Sequence, residues 1–193
     1  MEITVLPDKK SIDINKQYAL FKLTDILGEF LDKYLWDSYK SIVILCIGTD
    51  RSTGDCLGPL VGYKLSVLRY NNVHVHGTLE NPVHAKNLID TVNFINKNYD
   101  NPFIIAVDAC LGTPEHIGHI TIGRGCLRPG AGVNKSLPPV GHIHIVGVVN
   151  LGGFMEYLIL QNTRLNLVMK MADAITNAVM YNLWKRFRNE DIV

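Results

Sequence analysis

The chain has no apolar run approaching the roughly 20 residues that a membrane-crossing helix needs, so no span is expected. It has no excess charge of either sign. Its 19 Lys and Arg against 18 Asp and Glu give a formal net charge of +1, which leaves no field to gather nucleic acid or an anionic membrane. The basic stretch Lys185-Arg186-Phe187-Arg188 reads as a solvated helix end whose cations complement the helix dipole. The four cysteines lack CxxC spacing and no signal-peptide pattern is present, so a reducing, cytoplasmic setting is expected. There is no internal repeat, low-complexity tract or linker. With 193 residues, 47% of them hydrophobic, the chain reads as one domain spanning 1–193 around a single substantial core.

What the chain does have is an unbroken apolar run, Ile42-Val43-Ile44-Leu45-Cys46-Ile47, that stops abruptly in GTDRSTGDCLGP, residues 48–59. Such a run describes a strand covered on both faces, and a Gly/Asp loop between strand and helix is where α/β proteins place their chemistry. Leu20, Leu23, Leu27, Phe30, Leu31 and Tyr34 repeat at helical spacing within Ala19–Leu35. A second helix is expected from Pro59 to about Tyr70, a short strand at Val73–His76, and a helix over Pro82–Asn96. Phe103–Val107 is another buried strand, expected to end at Asp108. Ile117–Ile122 alternates and reads as an antiparallel edge strand. His142–Val149 is a further strand, and Phe154–Phe187 is helical with a break near Gln161-Asn162-Thr163. The alternation implies a three-layer α/β/α sandwich on a mainly parallel sheet. The loop Arg128–Gly141, rich in turn residues, is of a length uncommon in compact domains unless it binds something.

Ligands of open parallel sheets sit beyond the carboxyl ends of the strands, and two predicted strands end close to aspartate. Asp55 and Asp108 have enough chain between them for one strand and one helix, so adjacent strands can bring both to one crevice. A carboxylate pair there can share a proton, one acting as base toward water and the other as acid toward a carbonyl. The plainer alternative makes each a loop or N-cap residue bonding backbone amides. His74 with His76, and His142 with His144, alternate on strands and could each chelate a metal. Neither pair has a placed third ligand, and no bound metal or other cofactor is expected. Glu80 and His84 follow a strand at the sheet edge that carries the aspartates. Thr49 lies in the first loop. Cys46 and Cys110 read as small core residues, whereas Cys56, inside the loop, is open to a thiol-nucleophile reading. The glycine loop lacks both GxGxxG and GxxxxGK[ST] and carries aspartates where a phosphate cradle avoids them, which argues against a nucleotide site.

Four segments in order, GTDRSTGDCLGP, VDACLG at 107–112, RPGAGVNKSLPPVG at 128–141 and NLGGFMEYLILQNTRL at 150–165, resemble the YyaC-type sporulation proteins of spore-forming bacteria. That family is similar to the germination protease that degrades small acid-soluble spore proteins, and more distantly to hydrogenase maturation proteases, whose phosphorylase/hydrolase-like fold it implies. The germination protease has a catalytic aspartate in Asp-Ala-Leu-Gly-Pro, which Asp55-Cys56-Leu57-Gly58-Pro59 matches with one change. Its second catalytic aspartate, in an Asp-Ala-Leu segment after a strand, matches Asp108-Ala109-Cys110 with one change. The resemblance therefore implies catalytic roles for Asp55 and Asp108 and makes Asp50 a loop-shaping residue. Its Pro-Gly-Ser-Gly-Val loop followed by Asn-Lys is similar to residues 129–135. Asn134 and Lys135 would then position substrate or stabilise developing negative charge. Hydrogenase maturation enzymes recognise nickel through carboxylate and histidine ligands near this edge, where Glu80 and His84 are loose equivalents.

These readings converge on a sporulation-associated peptidase acting on a protein or peptide in the cytoplasm of forespore or mother cell, with Thr49, Glu80, His84, Asn134 and Lys135 binding substrate. The alternative is a catalytically silent homologue that binds a peptide or protein in the same crevice. Association between identical copies is left open.

Overall fold

The computed structural model describes residues 8–129 and 137–188. Its elements run β1 (Lys9–Asp13), α1 (Ala19–Tyr34), β2 (Ser41–Cys46), α2 (Leu57–Leu65), β3 (Val73–His76), α3 (Leu88–Asn98), β4 (Pro102–Gly112), β5 (His119–Arg124), β6 (Ile143–Leu151), α4 (Glu156–Gln161) and α5 (Leu165–Phe187). The six strands form one sheet in the order β1-β5-β6-β4-β2-β3. β3, β2, β4 and β6 are parallel, while β5 is antiparallel to both β6 and β1.

The strand period of two sorts the central residues onto two faces. Ile42, Ile44 and Cys46 of β2, with Phe103, Ile105 and Val107 of β4, pack under α1, α2 and α5. Val43, Leu45, Ile104 and Ala106 point the other way, into a smaller cluster with Leu88 and Ile95 of α3. The expected three-layer sandwich is present, with three of its helices on one face. Asn182, buried in α5, donates to the Thr24 carbonyl of α1 at 3.0 Å and to the Ala178 carbonyl at 2.9 Å, tying two of those helices together.

Four details depart from the sequence reading. β5 is not an edge, because Lys9–Asp13 pairs along its far side; this short, charge-bearing strand has no apolar run to announce it. The helix expected from Pro82 begins only at Leu88. Val83 instead bridges to Ile47 and accepts the Gly48 N–H at 2.8 Å, so it continues the sheet edge. α2 ends at Leu65 rather than near Tyr70. β4 runs to Gly112, well past Asp108.

The last departure positions the site. β2 pairs with β4 only as far as Cys46 opposite Val107, and Ile47 N–H donates to the Val107 carbonyl at 2.7 Å before the chain turns away. Asp108 is the next residue of β4. It stays paired with Val146 of β6 on one side while its other side faces the loop that β2 has become. After β2 the chain moves outward to β3, and after β4 it moves across to β5 and β6. The gap between β2 and β4 is therefore a topological switch point.

Candidate active site

The loop after β2 is folded by close backbone contacts. Gly48 has φ +139°, and the Thr49 N–H donates to the Asp55 carbonyl at 3.1 Å, closing the loop on itself. A Cβ on Gly48 would lie 2.0 Å from that carbonyl oxygen, so the spacing of Gly48 and Asp55 is a steric requirement. Residues Gly54–Cys56 make a single 3-10 turn that leads directly into α2 and carries Asp55.

Asp55 and Asp108 both line a cleft of ≈ 480 Å³, together with Thr49, Ser52, His84 and Cys110 and, from the far wall, Arg128, Glu156 and Tyr157. Asp108 is 6% exposed, and its Oδ1 accepts the N–H of Ala109 at 2.8 Å. Burial holds the Asp108 carboxyl well above the usual carboxylate range, and the neighbouring negative charge of Asp55 pushes it the same way. Asp55 is also raised by burial, against the opposing pull of the Thr49 N–H and of His84. Asp55 thus disfavours the ionised form of Asp108 within the one cleft.

Of the other candidates, Thr49 and His84 line this cleft. Glu80 does not: it lines a neighbouring polar groove with His76, Asn81 and Asn87, and His84 borders both. Asn134 and Lys135 lie outside the described residues. The His84 ring Nδ1 is engaged by the Lys86 N–H at 3.3 Å, and the His84 N–H donates to Asn87 Oδ1 at 2.8 Å, which fixes the turn before α3.

The strand histidines have structural partners. His74 stacks on Tyr99 with ring centroids 3.9 Å apart, and His76 Nε2 lies 2.9 Å from the Tyr99 hydroxyl. His142 Nδ1 accepts the Ile104 N–H at 2.9 Å, and His144 Nδ1 lies 3.0 Å from the Gly125 carbonyl. Among the described residues no group of three or more His, Cys, Asp or Glu converges as a metal ion would require, and Glu80 is turned to the other groove. The donor set therefore does not match the nickel-recognising arrangement that the resemblance loosely implied.

Cys46 is a core residue, as expected, its thiol pushed up by burial. Cys110 is not: it is half-buried, lines the cleft, and is pushed up to about 11 by burial and by Asp108. Cys56 is buried and raised by burial and by Asp50 and Asp55, which disfavours the thiolate that a nucleophile needs. Sequence reasoning missed Ser52, which lines the cleft and whose buried Oγ has no hydrogen-bond partner among the described residues. It also missed Glu156 and Tyr157 as site residues. Their only signal was membership of the NLGGFMEYLILQNTRL segment.

An open, mainly parallel sheet with Asp55 and Asp108 beside its switch point defines a doubly wound α/β domain. The chain shares the fold of [NiFe] hydrogenase maturation protease HycI from Thermococcus kodakarensis KOD1, with a TM-score of 0.54 at 17% identity over 82% of this chain and 98% of that one. It belongs to the family described as protein of unknown function (DUF1256), which matches residues 11–178. The uncharacterized protein YyaC of Bacillus subtilis (strain 168) is 56% identical to it over 151 residues, 78% of this chain and 74% of that protein. No described helix is long and apolar enough to cross a membrane.

Proposed function

We propose that the chain is a peptidase-like hydrolase in which Asp55 and Asp108 act as a proton-sharing pair on a peptide bond of a protein or peptide substrate. The observation that carries this reading is the presence of both carboxyls in one cleft, where burial and the charge of Asp55 raise the buried Asp108 well above the usual carboxylate range. Ionised Asp55 takes a proton from water as the water oxygen attacks the carbonyl carbon, while protonated Asp108 gives its proton to the carbonyl oxygen. On collapse, the proton on Asp55 passes to the leaving amine and Asp108 recovers one from the gem-diol, restoring the starting state. On this reading Thr49 and His84, which line the cleft, contact substrate, and Asn134 and Lys135 are given that role by the motif resemblance. The sporulation setting and the cytoplasm of a spore-forming cell likewise rest on the resemblance to the germination protease.

Incubation of the purified protein with spore proteins and unbiased peptide mixtures, across pH and with divalent metals supplied, tests the reading. Cleavage is expected, with loss of about 10²–10⁴-fold in Asp55→Asn and in Asp108→Asn. Wild-type protein that cleaves nothing, or cleavage that survives both substitutions, overturns it. A second reading, a cleft that binds a peptide without cutting it, draws support from walls formed largely by Ile47, Leu111, Leu127, Leu137, Val146 and Leu160. Saturable peptide binding by uncleaving wild-type protein would identify that case.

A further inference from the structure

Helix α4 has the sequence Glu-Tyr-Leu-Ile-Leu-Gln and buries none of its side chains. Six residues are too few to hold a helix by propensity alone, and this one is anchored by half-buried Leu160, which packs against the core. Polar contacts along its C-terminal half add to that anchor: Asn150 Nδ2 donates to the Ile159 carbonyl at 3.3 Å and to Thr163 Oγ1 at 3.2 Å, and Thr163 Oγ1 donates to the same carbonyl at 2.9 Å. The turn before it places Gly153 at φ +140° and Met155 at φ +59°, a left-handed conformation that costs a non-glycine residue roughly 1–2 kcal/mol. That turn holds Phe154 86% exposed and Met155 58% exposed, followed by Tyr157 at 63% and Leu158 at 46%.

This apolar surface is continuous with the cleft, because Tyr157 and Leu160 of the same helix form part of its wall. Side chains of roughly 150–250 Å² each, at those exposures, present about 500 Å². That lies in the range of roughly 300–600 Å² of the largest apolar patch on a typical monomer, a patch that is often functional, and below the roughly 800 Å² per partner of a stable dimer. Its size and its continuity with the acid pair fit a polypeptide segment better than a second copy. We propose that α4 and the turn before it are the docking platform for an apolar segment of the substrate polypeptide, which seats an aliphatic or aromatic side chain against Tyr157 and Leu160 beside the scissile bond. This inference rests on reading the cleft as a polypeptide site.

The test uses full-length Asp108→Asn protein, so that binding is read without cleavage, and two fluorescein-labelled synthetic peptide pools. The pools are identical except that adjacent fixed positions hold Leu and Phe in one and Ser and Asp in the other. Fluorescence anisotropy is expected to show the apolar pool binding about tenfold or more tightly, with that ratio falling toward one when Phe154→Ser and Tyr157→Ser are added. Both side chains are exposed, so these changes leave the core intact. Equal affinity for the two pools, or a ratio unchanged by the added substitutions, overturns the proposal. Concentration-dependent dimerisation abolished by the same substitutions, with no pool preference, also overturns it and assigns the surface to a second copy. A pool preference without cleavage by the wild type would sustain the platform while removing the peptidase reading. Cleavage without a preference would do the reverse.

Discussion

Gly58 of α2 lies against the backbone of Ile47 at the end of β2: a Cβ on Gly58 would fall 2.0 Å from the Ile47 carbonyl oxygen and 2.7 Å from its amide nitrogen. Ile47 in turn donates to Val107, next to Asp108, so this one approach fixes the spacing between the Asp55 turn and the Asp108 strand. The obstacle is backbone, not a side chain that can swing away. Gly58→Ala is therefore expected to lower stability by about 3 kcal/mol, measured as a shift in the urea midpoint at unchanged slope. A midpoint within experimental error of the wild type would show that α2 can slide without cost.

The legibility of this arrangement in the sequence was uneven, for physical reasons. Ile42–Ile47 and Phe103–Val107 declare themselves because a strand buried on both faces must be apolar throughout, and those two strands fix the centre of the sheet. Lys9–Asp13 could not be read that way, since its neighbours along the sheet and not its own composition make it a strand. Asp108 was legible as a residue of the crevice but not as a mid-strand one. A charged residue normally ends a buried run, and here the strand continues because β2 stops first. Glu80 and His84 share the outer groove, but only His84, just past the Val83 bridge, also reaches the cleft. Phe154 and Tyr157 fell within a stretch read only as helical, and their exposure is set by tertiary placement.

The proposed mechanism carries a pH dependence. It requires Asp55 ionised and Asp108 protonated, so kcat/KM is expected to be bell-shaped, its acidic limb following Asp55 and its basic limb Asp108. His84 lowers the Asp55 pKa. Removing it by His84→Ala is expected to move the acidic limb to higher pH while leaving the basic limb nearly in place. Steady-state profiles of the two proteins check this, and an acidic limb that stays put or moves down would remove His84 from the electrostatics of the pair.

Asp108 also has a thermodynamic signature. Its folded pKa lies above the ordinary carboxylate value near 3.9, so between the two the folded protein holds more protons than the unfolded chain. Stability from this group is therefore highest at low pH, falls as pH rises through the folded pKa, and is level above it. Asp108→Asn keeps an acceptor for the Ala109 N–H and removes the charge. It is expected to flatten that slope and to be more stable than wild type above the folded pKa, by about 1–3 kcal/mol, while losing activity. Urea denaturation at a series of pH values measures both curves; parallel curves would mean that Asp108 ionises as freely in the fold as outside it.

The turn before α4 trades stability for exposure. Met155 pays for a left-handed backbone that glycine adopts without penalty, and its own side chain is more than half exposed, so little packing is lost on truncation. Met155→Gly is expected to relieve this strain but also to make the unfolded chain more flexible, leaving a net gain of about 0.5–1 kcal/mol. For a domain of this size that corresponds to a rise in Tm of roughly 1–4 °C by calorimetry. The same substitution removes apolar surface from the platform and is expected to weaken binding of the Leu/Phe peptide pool while leaving the Ser/Asp pool unchanged. A variant that is both stabilised and selectively weaker toward apolar peptide would place the strain in the service of recognition. A variant destabilised by the change would show that Met155 packs more tightly than its exposure indicates, and that the turn is held by its side chain.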